Sequence, residues 1–204
     1  MADHETEDES QERGSKVKAK FKFQKFKVKD IAFLAIMAVV LLLCSSLAVP
    51  LMFISLFGLQ NMGTAIFFGI FMTIALMKVR KPGALSILGI FSSIPLAIMQ
   101  VSVFLTNSIA AVLAECVTLL IFRNYRSDKA IMLGAGLVMP ISLPFTLVFG
   151  MLINGKTLAQ ALSGEGLPVW LVILTCVGTV VLSFAGTLIG HKIGKELQKA
   201  GKLK

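Results

Sequence analysis

The sequence predicts an all-α membrane protein: a bundle of six transmembrane helices with the N- and C-termini both cytoplasmic. Of its 204 residues, 56% are hydrophobic and the mean hydropathy is +0.84, whereas soluble domains are about 45–50% apolar. The charges fall in short clusters separated by long uncharged runs. A run of about 18 apolar residues or more is long enough to cross a hydrocarbon core of about 30 Å as a helix.

These runs divide the chain into a tail, a transmembrane domain at residues 30–192 and a second tail. The six predicted spans are 31–49, 61–78, 83–101, 104–122, 130–153 and 169–190. Residues 1–29 are acidic over the first twelve positions and then rich in lysine, so we expect a disordered, first acidic and then basic tail. Residues 193–204 are expected to form a basic cytoplasmic tail.

The basic residues give the orientation. Of the 20 Lys and Arg residues, 19 fall in the two tails, in the second and fourth connections or directly beside them (Lys78 and Lys192), and only Lys156 falls on the other side. Short loops rich in Lys and Arg face the cytoplasm, which places both termini there. The uncharged segment Leu51–Leu59 is expected to fold back on the bundle, because an apolar loop is stable only under protein cover.

The lysines of "SKVKAKFKFQKFKVKD" before the first span allow two interpretations: a segment that fixes the topology, or one that also adheres to anionic lipid. The net charge of +9 is explained by this topology, without a nucleic-acid partner.

Enzyme motifs are missing. The sequence has no GxSxG elbow, HExxH pair or Walker loop. Its three cysteines lie in apolar runs without metal-ligand spacing, and His4 and His191 lie in a tail and at a span end. The sequence therefore predicts a protein that is not an enzyme and has no metal or cofactor.

Uncharged polar side chains gather at the predicted outer ends of the spans. A mostly apolar cavity with a few convergent amides and hydroxyls suits a small ligand. The candidate substrate-binding residues are Gln60, Asn61, Gln100, Thr106, Asn107, Asn154 and Trp170. The alternative is that the amides hydrate the interface and that Trp170 is an interfacial anchor.

One acid, Glu115, lies inside a predicted span, in "AAVLAECVTLLIFR". Arg123 marks the cytoplasmic end eight residues later, so Glu115 lies about 12 Å inside, at 1.5 Å per residue. Because buried acids are costly, such a residue is a functional candidate. Three interpretations stay open: packing between helices, coupling to a partner, and substrate or proton handling.

A family resemblance rests on three segments: "KDIAFLAIMAVVLLL", "KVRKPGALSILGIFS" and "AAVLAECVTLLIFRNYRSDKA". With six short spans and a basic approach to the first, residues 27–195 resemble the S component of an energy-coupling-factor (ECF) transporter, of the MptD/Trep_Strep type. The resemblance implies a multi-pass protein of the prokaryotic cytoplasmic membrane. It would capture a vitamin or related micronutrient from outside and deliver it together with an EcfT-type transmembrane coupling protein and two ATPases.

In that family, small residues of the first span, often spaced as AxxxA, dock on the coupling protein. This chain instead has Ala32, Ala35 and Ala38. They predict a shallow strip that allows close approach of a helix, either from the partner or from the same chain. Two other functional hypotheses remain: a small standalone secondary transporter or channel for an organic solute, and an assembly subunit without a ligand.

Overall fold

The computed structural model describes residues 26–53, 57–155, 157 and 169–201. They contain helices only, without any strand, which confirms the all-α prediction for this part of the chain. The elements are α1 (Val28–Ser45), a 3-10 helix (Ser46–Phe53), α2 (Leu59–Lys78), α3 (Ala84–Met99), α4 (Val101–Phe122), α5 (Asp128–Asn154) and α6 (Val169–Lys199). The acidic part of the predicted N-terminal tail lies outside the described residues.

Five of the helices, all except α3, are long and apolar enough to cross a membrane. The chain is thus an integral membrane protein with several apolar helices. Helix α3 has 16 residues, which cover only about 24 Å of a hydrocarbon core of about 30 Å. A single residue, Gln100 in extended conformation, joins it to α4.

The helices form a ring in the order α1, α2, α6, α5, α4, α3, in which α2 also contacts α5 across the ring. Apolar side chains such as Leu34, Met72, Leu85 and Ile131 fill the core between them. Successive helices run in opposite directions, so that the start of α1, the 79–83 loop, the 123–127 turn and the end of α6 lie together.

We call that end of the bundle the basic end and the other the neutral end. Within the described residues, eleven Lys and Arg side chains and four Asp and Glu side chains all belong to the basic half, an excess of seven positive charges.

Helices α2 and α6 touch through their backbones. A Cβ atom added to Gly190 would lie 2.6 Å from the carbonyl oxygen of Ile70, one added to Gly69 would lie 2.5 Å from that of Ser183, and Gly186 is pressed in the same way against Ile66. Only glycine fits at such contacts. They form the α2–α6 seam, which runs along the bundle and joins its two ends.

The end of α6 differs from the sequence prediction. The helix continues to Lys199, nine residues beyond the end of the sixth predicted span at residue 190. The added turns pack through Gly194 against Met77, whereas the exposed pair of Glu196 with Lys199 at 2.8 Å contributes little. At the neutral end, Leu51 of the 3-10 helix packs against Gly63 of α2, so the described part of the apolar connection lies on the bundle.

Candidate functional site

Glu115 of α4 caps the N-terminus of α3. Its side chain is buried, with only 4% of the residue exposed. The carboxylate accepts hydrogen bonds from the backbone N–H of Gly83, from the backbone N–H of Ser86 at 2.9 Å and from the hydroxyl of Ser86. The first N–H groups of a helix have no partner within it, and the partial positive charge there favours an anion.

The N-terminus of α3 needs this carboxylate as a hydrogen-bond acceptor because it lies well inside the bundle, away from the end of α4. Glu115 precedes the last residue of α4, Phe122, by seven positions, a distance of about 10 Å along the helix. The N-terminus of α3 therefore begins about 10 Å below the end of α4, where water is scarce and an unpaired N–H group is costly. Gly83, at φ 95°, adopts the left-handed conformation that turns the chain into α3 here.

The 79–83 loop is tied to three other elements. Lys81 Nζ lies 2.6 Å from Asp30 Oδ2 of α1. Arg80 pairs with Asp128 Oδ1 of α5 at 3.3 Å and donates to the carbonyl oxygen of Arg126 at 3.3 Å. Together with the hydrogen bond from Gly83 to Glu115, these contacts join the five-residue loop to α1, α4 and α5.

Asp128 is a second junction at the basic end. Its carboxylate pairs with Arg80, and its Oδ2 atom also lies 3.6 Å from Nε2 of His191 and 3.7 Å from Nζ of Lys195, both on α6. The carboxylate thus links the 79–83 loop, α5 and α6. Because its side chain is 38% exposed, water and salt screen these pairs, and each contributes little to stability by itself.

Tyr125 anchors the turn between α4 and α5. It is fully buried and packs against Gly134, where its ring and the Thr118 hydroxyl leave room for no larger residue without a shift. Its hydroxyl has no hydrogen-bond partner within the described residues. Burial, and then the Glu115 carboxylate, raise the pKa of Tyr125 well above its usual value.

At the neutral end, Asn61 points from α2 towards α5. Its amide nitrogen lies 3.4 Å from the hydroxyl of Ser142 and 3.4 Å from that of Thr146. Gln60 beside it is half-buried. We call Asn61, Ser142 and Thr146 the neutral polar cluster. It contains one predicted substrate-binding residue, Asn61, and two hydroxyls that the sequence did not single out.

The other predicted substrate-binding residues are distributed over several elements. Thr106 is buried and donates to the carbonyl oxygen of Ser102, while Asn107 is half-buried on the same helix. Gln100 is exposed at the turn between α3 and α4. Trp170, in the first turn of α6, is 61% exposed. The side chain of Asn154, the last residue of α5, lies outside the described residues.

The three alanines of α1 occupy different environments. Ala32 is exposed, Ala35 is half-buried and Ala38 is buried in the core, as expected for residues three apart on a helix with 3.6 residues per turn. The outward face of α1 is formed by Ala32, Ile36, Val39 and Leu43. Only the first of the alanines therefore belongs to the surface that could meet a partner.

The α2–α6 seam was missed by the sequence analysis, although a signal existed. Gly186, Gly190 and Gly194 repeat every four residues in "GTLIGHKIG", a spacing that brings helices into close contact in membranes. For metal binding, the described residues contain no group of three or more His, Cys, Asp or Glu side chains placed to hold an ion.

Comparison with known proteins gives a family and no closer relative. Residues 28–197 match the model of a family described as a hypothetical bacterial integral membrane protein, Trep_Strep. Neither a curated protein nor a solved structure matches the chain.

Proposed function

The chain belongs to the Trep_Strep family of bacterial integral membrane proteins, and from this we propose that it is the substrate-capture (S component) subunit of an ECF-type importer. In this role it lies in the cytoplasmic membrane with its basic end and both termini in the cytoplasm. It binds a vitamin-like micronutrient at the neutral end, and an EcfT-type coupling protein with two ATPases supplies the energy.

The observation that carries the proposal is the use of Glu115. Carriers driven by protons commonly use an ionisable group inside a span as the proton relay. Glu115 is the one acid that the structure describes deep inside a span, and both of its oxygens are bonded to the N-terminus of α3. This arrangement favours a binding protein that receives its energy from a partner.

The neutral polar cluster supports binding of an uncharged or weakly polar solute. Asn61, Ser142 and Thr146 lie between α2 and α5, and their contacts of 3.4 Å are long for hydrogen bonds. The Asn61 amide can therefore exchange these long contacts for a hydrogen bond to a ligand. No described side chain at this end carries a charge, so recognition rests on hydrogen bonds and apolar surface.

For docking on the coupling protein we propose the outward face of α1. Helix α1 has the smallest buried share among the five candidate spans, and its contacts within the described bundle are mainly with α2, α3 and the 3-10 helix. Near the basic end, the small side chain of Ala32 lets a partner helix approach this face closely. Ala35 and Ala38 instead pack within the bundle.

Native mass spectrometry of the purified full chain tests the first half of the proposal. We expect a small organic solute to copurify and to be lost in Asn61→Ala, while Gln198→Ala at the basic end retains it as a matched control. A protein that never carries a solute would instead be an assembly subunit.

Reconstitution in liposomes tests the second half. We expect no uptake of the copurified solute by the chain alone under a proton or sodium gradient, and ATP-dependent uptake with its coupling module. Uptake by the chain alone would show a secondary transporter or channel and overturn the proposal.

A further inference from the structure

The turn between α4 and α5 presents cations that no described acid neutralises. Arg123, Arg126 and Lys129 are all exposed, and within the described part of the chain their side chains make no hydrogen bond or ion pair. Asp128 lies between them in sequence, yet its carboxylate faces Arg80, His191 and Lys195. In the 79–83 loop, by contrast, Arg80 and Lys81 both have carboxylate partners.

The turn is fixed in place by local contacts. Tyr125 is fully buried beneath it, and the side-chain oxygen of Asn124 accepts from the backbone N–H of Arg126 at 3.1 Å. Ser127 caps α5 by accepting from the N–H of Ala130 at 3.2 Å. Arg123 adopts the left-handed conformation, with φ 57°, and its N–H closes α4 on the carbonyl oxygen of Leu119 at 2.8 Å. A fixed turn holds its cations ready for a ligand without a large cost in ordering.

An apolar surface lies directly beside these cations. Leu120 and Ile121, in the last turn of α4, are 82% and 60% exposed. Helix α4 is a candidate span that ends at Phe122, so the turn lies at the depth of lipid headgroups and Leu120 and Ile121 at the depth of acyl chains. A soluble anion would use the cations only, whereas a phospholipid would use both surfaces.

We propose that this turn is a binding site for an anionic phospholipid of the leaflet that faces the basic end. Arg123, Arg126 and Lys129 bind the headgroup phosphate, the N-terminus of α5 adds its partial positive charge, and the acyl chains lie on Leu120 and Ile121. The site is independent of the transported solute and of the coupling partner.

The test measures phosphatidylglycerol binding to the purified full chain by native mass spectrometry titration. Each basic residue near a membrane surface contributes about 1 kcal/mol, which corresponds to about fivefold in affinity. The variant Arg123→Gln, Arg126→Gln, Lys129→Gln is therefore expected to bind phosphatidylglycerol up to about 100-fold more weakly. A matched control, Lys29→Gln, Lys192→Gln, Lys199→Gln, removes the same charge from the same end and should bind nearly as well as the natural protein.

Three further measurements distinguish a specific phospholipid site from diffuse attraction and from a site for a soluble anion. Phosphatidylcholine of the same chain length should bind far more weakly than phosphatidylglycerol, and inorganic phosphate should not compete at millimolar concentration. The single variant Arg126→Gln should lose about fivefold, which preserves the test if the triple variant fails to fold. Equal losses in the two triple variants would show diffuse attraction only, and competition by phosphate would show a site for a soluble anion; either result overturns the proposal.

Discussion

The two ends of the bundle are held together in different ways. At the basic end, Glu115, Asp30 and Asp128 each bridge separate elements through charged hydrogen bonds or ion pairs. At the neutral end, Asn61 meets Ser142 and Thr146 through two contacts of 3.4 Å between uncharged groups. Charge-assisted bonds are about twice as strong as neutral ones. The Thr175 hydroxyl also joins α6 to the carbonyl oxygen of Phe57 at 2.8 Å, again between uncharged groups. The basic end is therefore joined by charged bonds and the neutral end by weaker, uncharged ones.

The largest expected effect concerns the α2–α6 seam, which both ends share. Gly190→Ala places a methyl group 2.6 Å from the carbonyl oxygen of Ile70, so the two backbones must separate, at a cost of about 3 kcal/mol in the free energy of unfolding. Gly150→Ala is the matched control, because a Cβ there meets nothing within 4 Å. Thermal unfolding in detergent measures the stability of both variants. If the two were equally stable, the close backbone contact between α2 and α6 at Gly190 would be contradicted.

Next in size is removal of the cap on α3. Glu115→Ala leaves the N–H groups of Gly83 and Ser86 without an acceptor in the membrane, and we expect a loss of about 2 kcal/mol. Glu115→Gln retains one acceptor oxygen and should lose less. Urea unfolding compares the two variants, and intact stability of Glu115→Ala would mean that the carboxylate is not the cap.

Asn61→Ala probes the neutral end in the same assay. Its two long contacts predict a loss below about 1 kcal/mol, together with loss of the copurified solute. If this variant were as unstable as Glu115→Ala, the neutral end would be as firmly held as the basic end, and the contrast between them would fail.

Asp128→Asn is expected to cost about 0.5–1 kcal/mol at low salt. The pairs with Arg80 and Lys195 are partly exposed, so the difference between the variant and the natural protein should shrink in about 1 M salt, where the screening length falls to about 3 Å. A loss that is independent of salt would indicate a packing role for this side chain.

Tyr125 is the one position where we expect a substitution to raise stability at neutral pH. Its hydroxyl is buried without a partner in the described structure, so Tyr125→Phe should raise stability by about 1 kcal/mol. Because the folded state raises the pKa of Tyr125 above its usual value of 10.0, the folded protein keeps the phenolic proton that the unfolded chain loses above that pH. Rising pH therefore destabilises the natural protein, by up to about 1.4 kcal/mol per pH unit above pH 10, and the Phe variant escapes this loss.

Absorbance at 295 nm checks the last point directly, since the chain has a single tyrosine. The tyrosinate signal should appear only as the protein unfolds. A signal at pH 10 from the folded protein would show that the ring is accessible to water.

The sequence predicted the helices and the position of Glu115 along α4, because both follow from the order of residues in the chain. Counting from Arg123 was enough to place the acid in the half of the bundle that contains the 123–127 turn. Its partners, Gly83 and Ser86, depend on α3 lying beside α4 and beginning 10 Å below its end, and no local pattern states that. Ser142 and Thr146 escaped notice because hydroxyls within helices usually bond to their own backbone, as these two also do.

The short helix α3 has a consequence for the surrounding lipid. With about 24 Å of helix against about 30 Å of hydrocarbon, the protein is mismatched to the bilayer on that side. Mismatch costs a fraction of a kcal/mol per ångström, so we expect the bilayer to thin next to α3. Membrane thickness then becomes a variable that acts on the protein, and lipids with shorter chains should stabilise the bundle relative to longer ones.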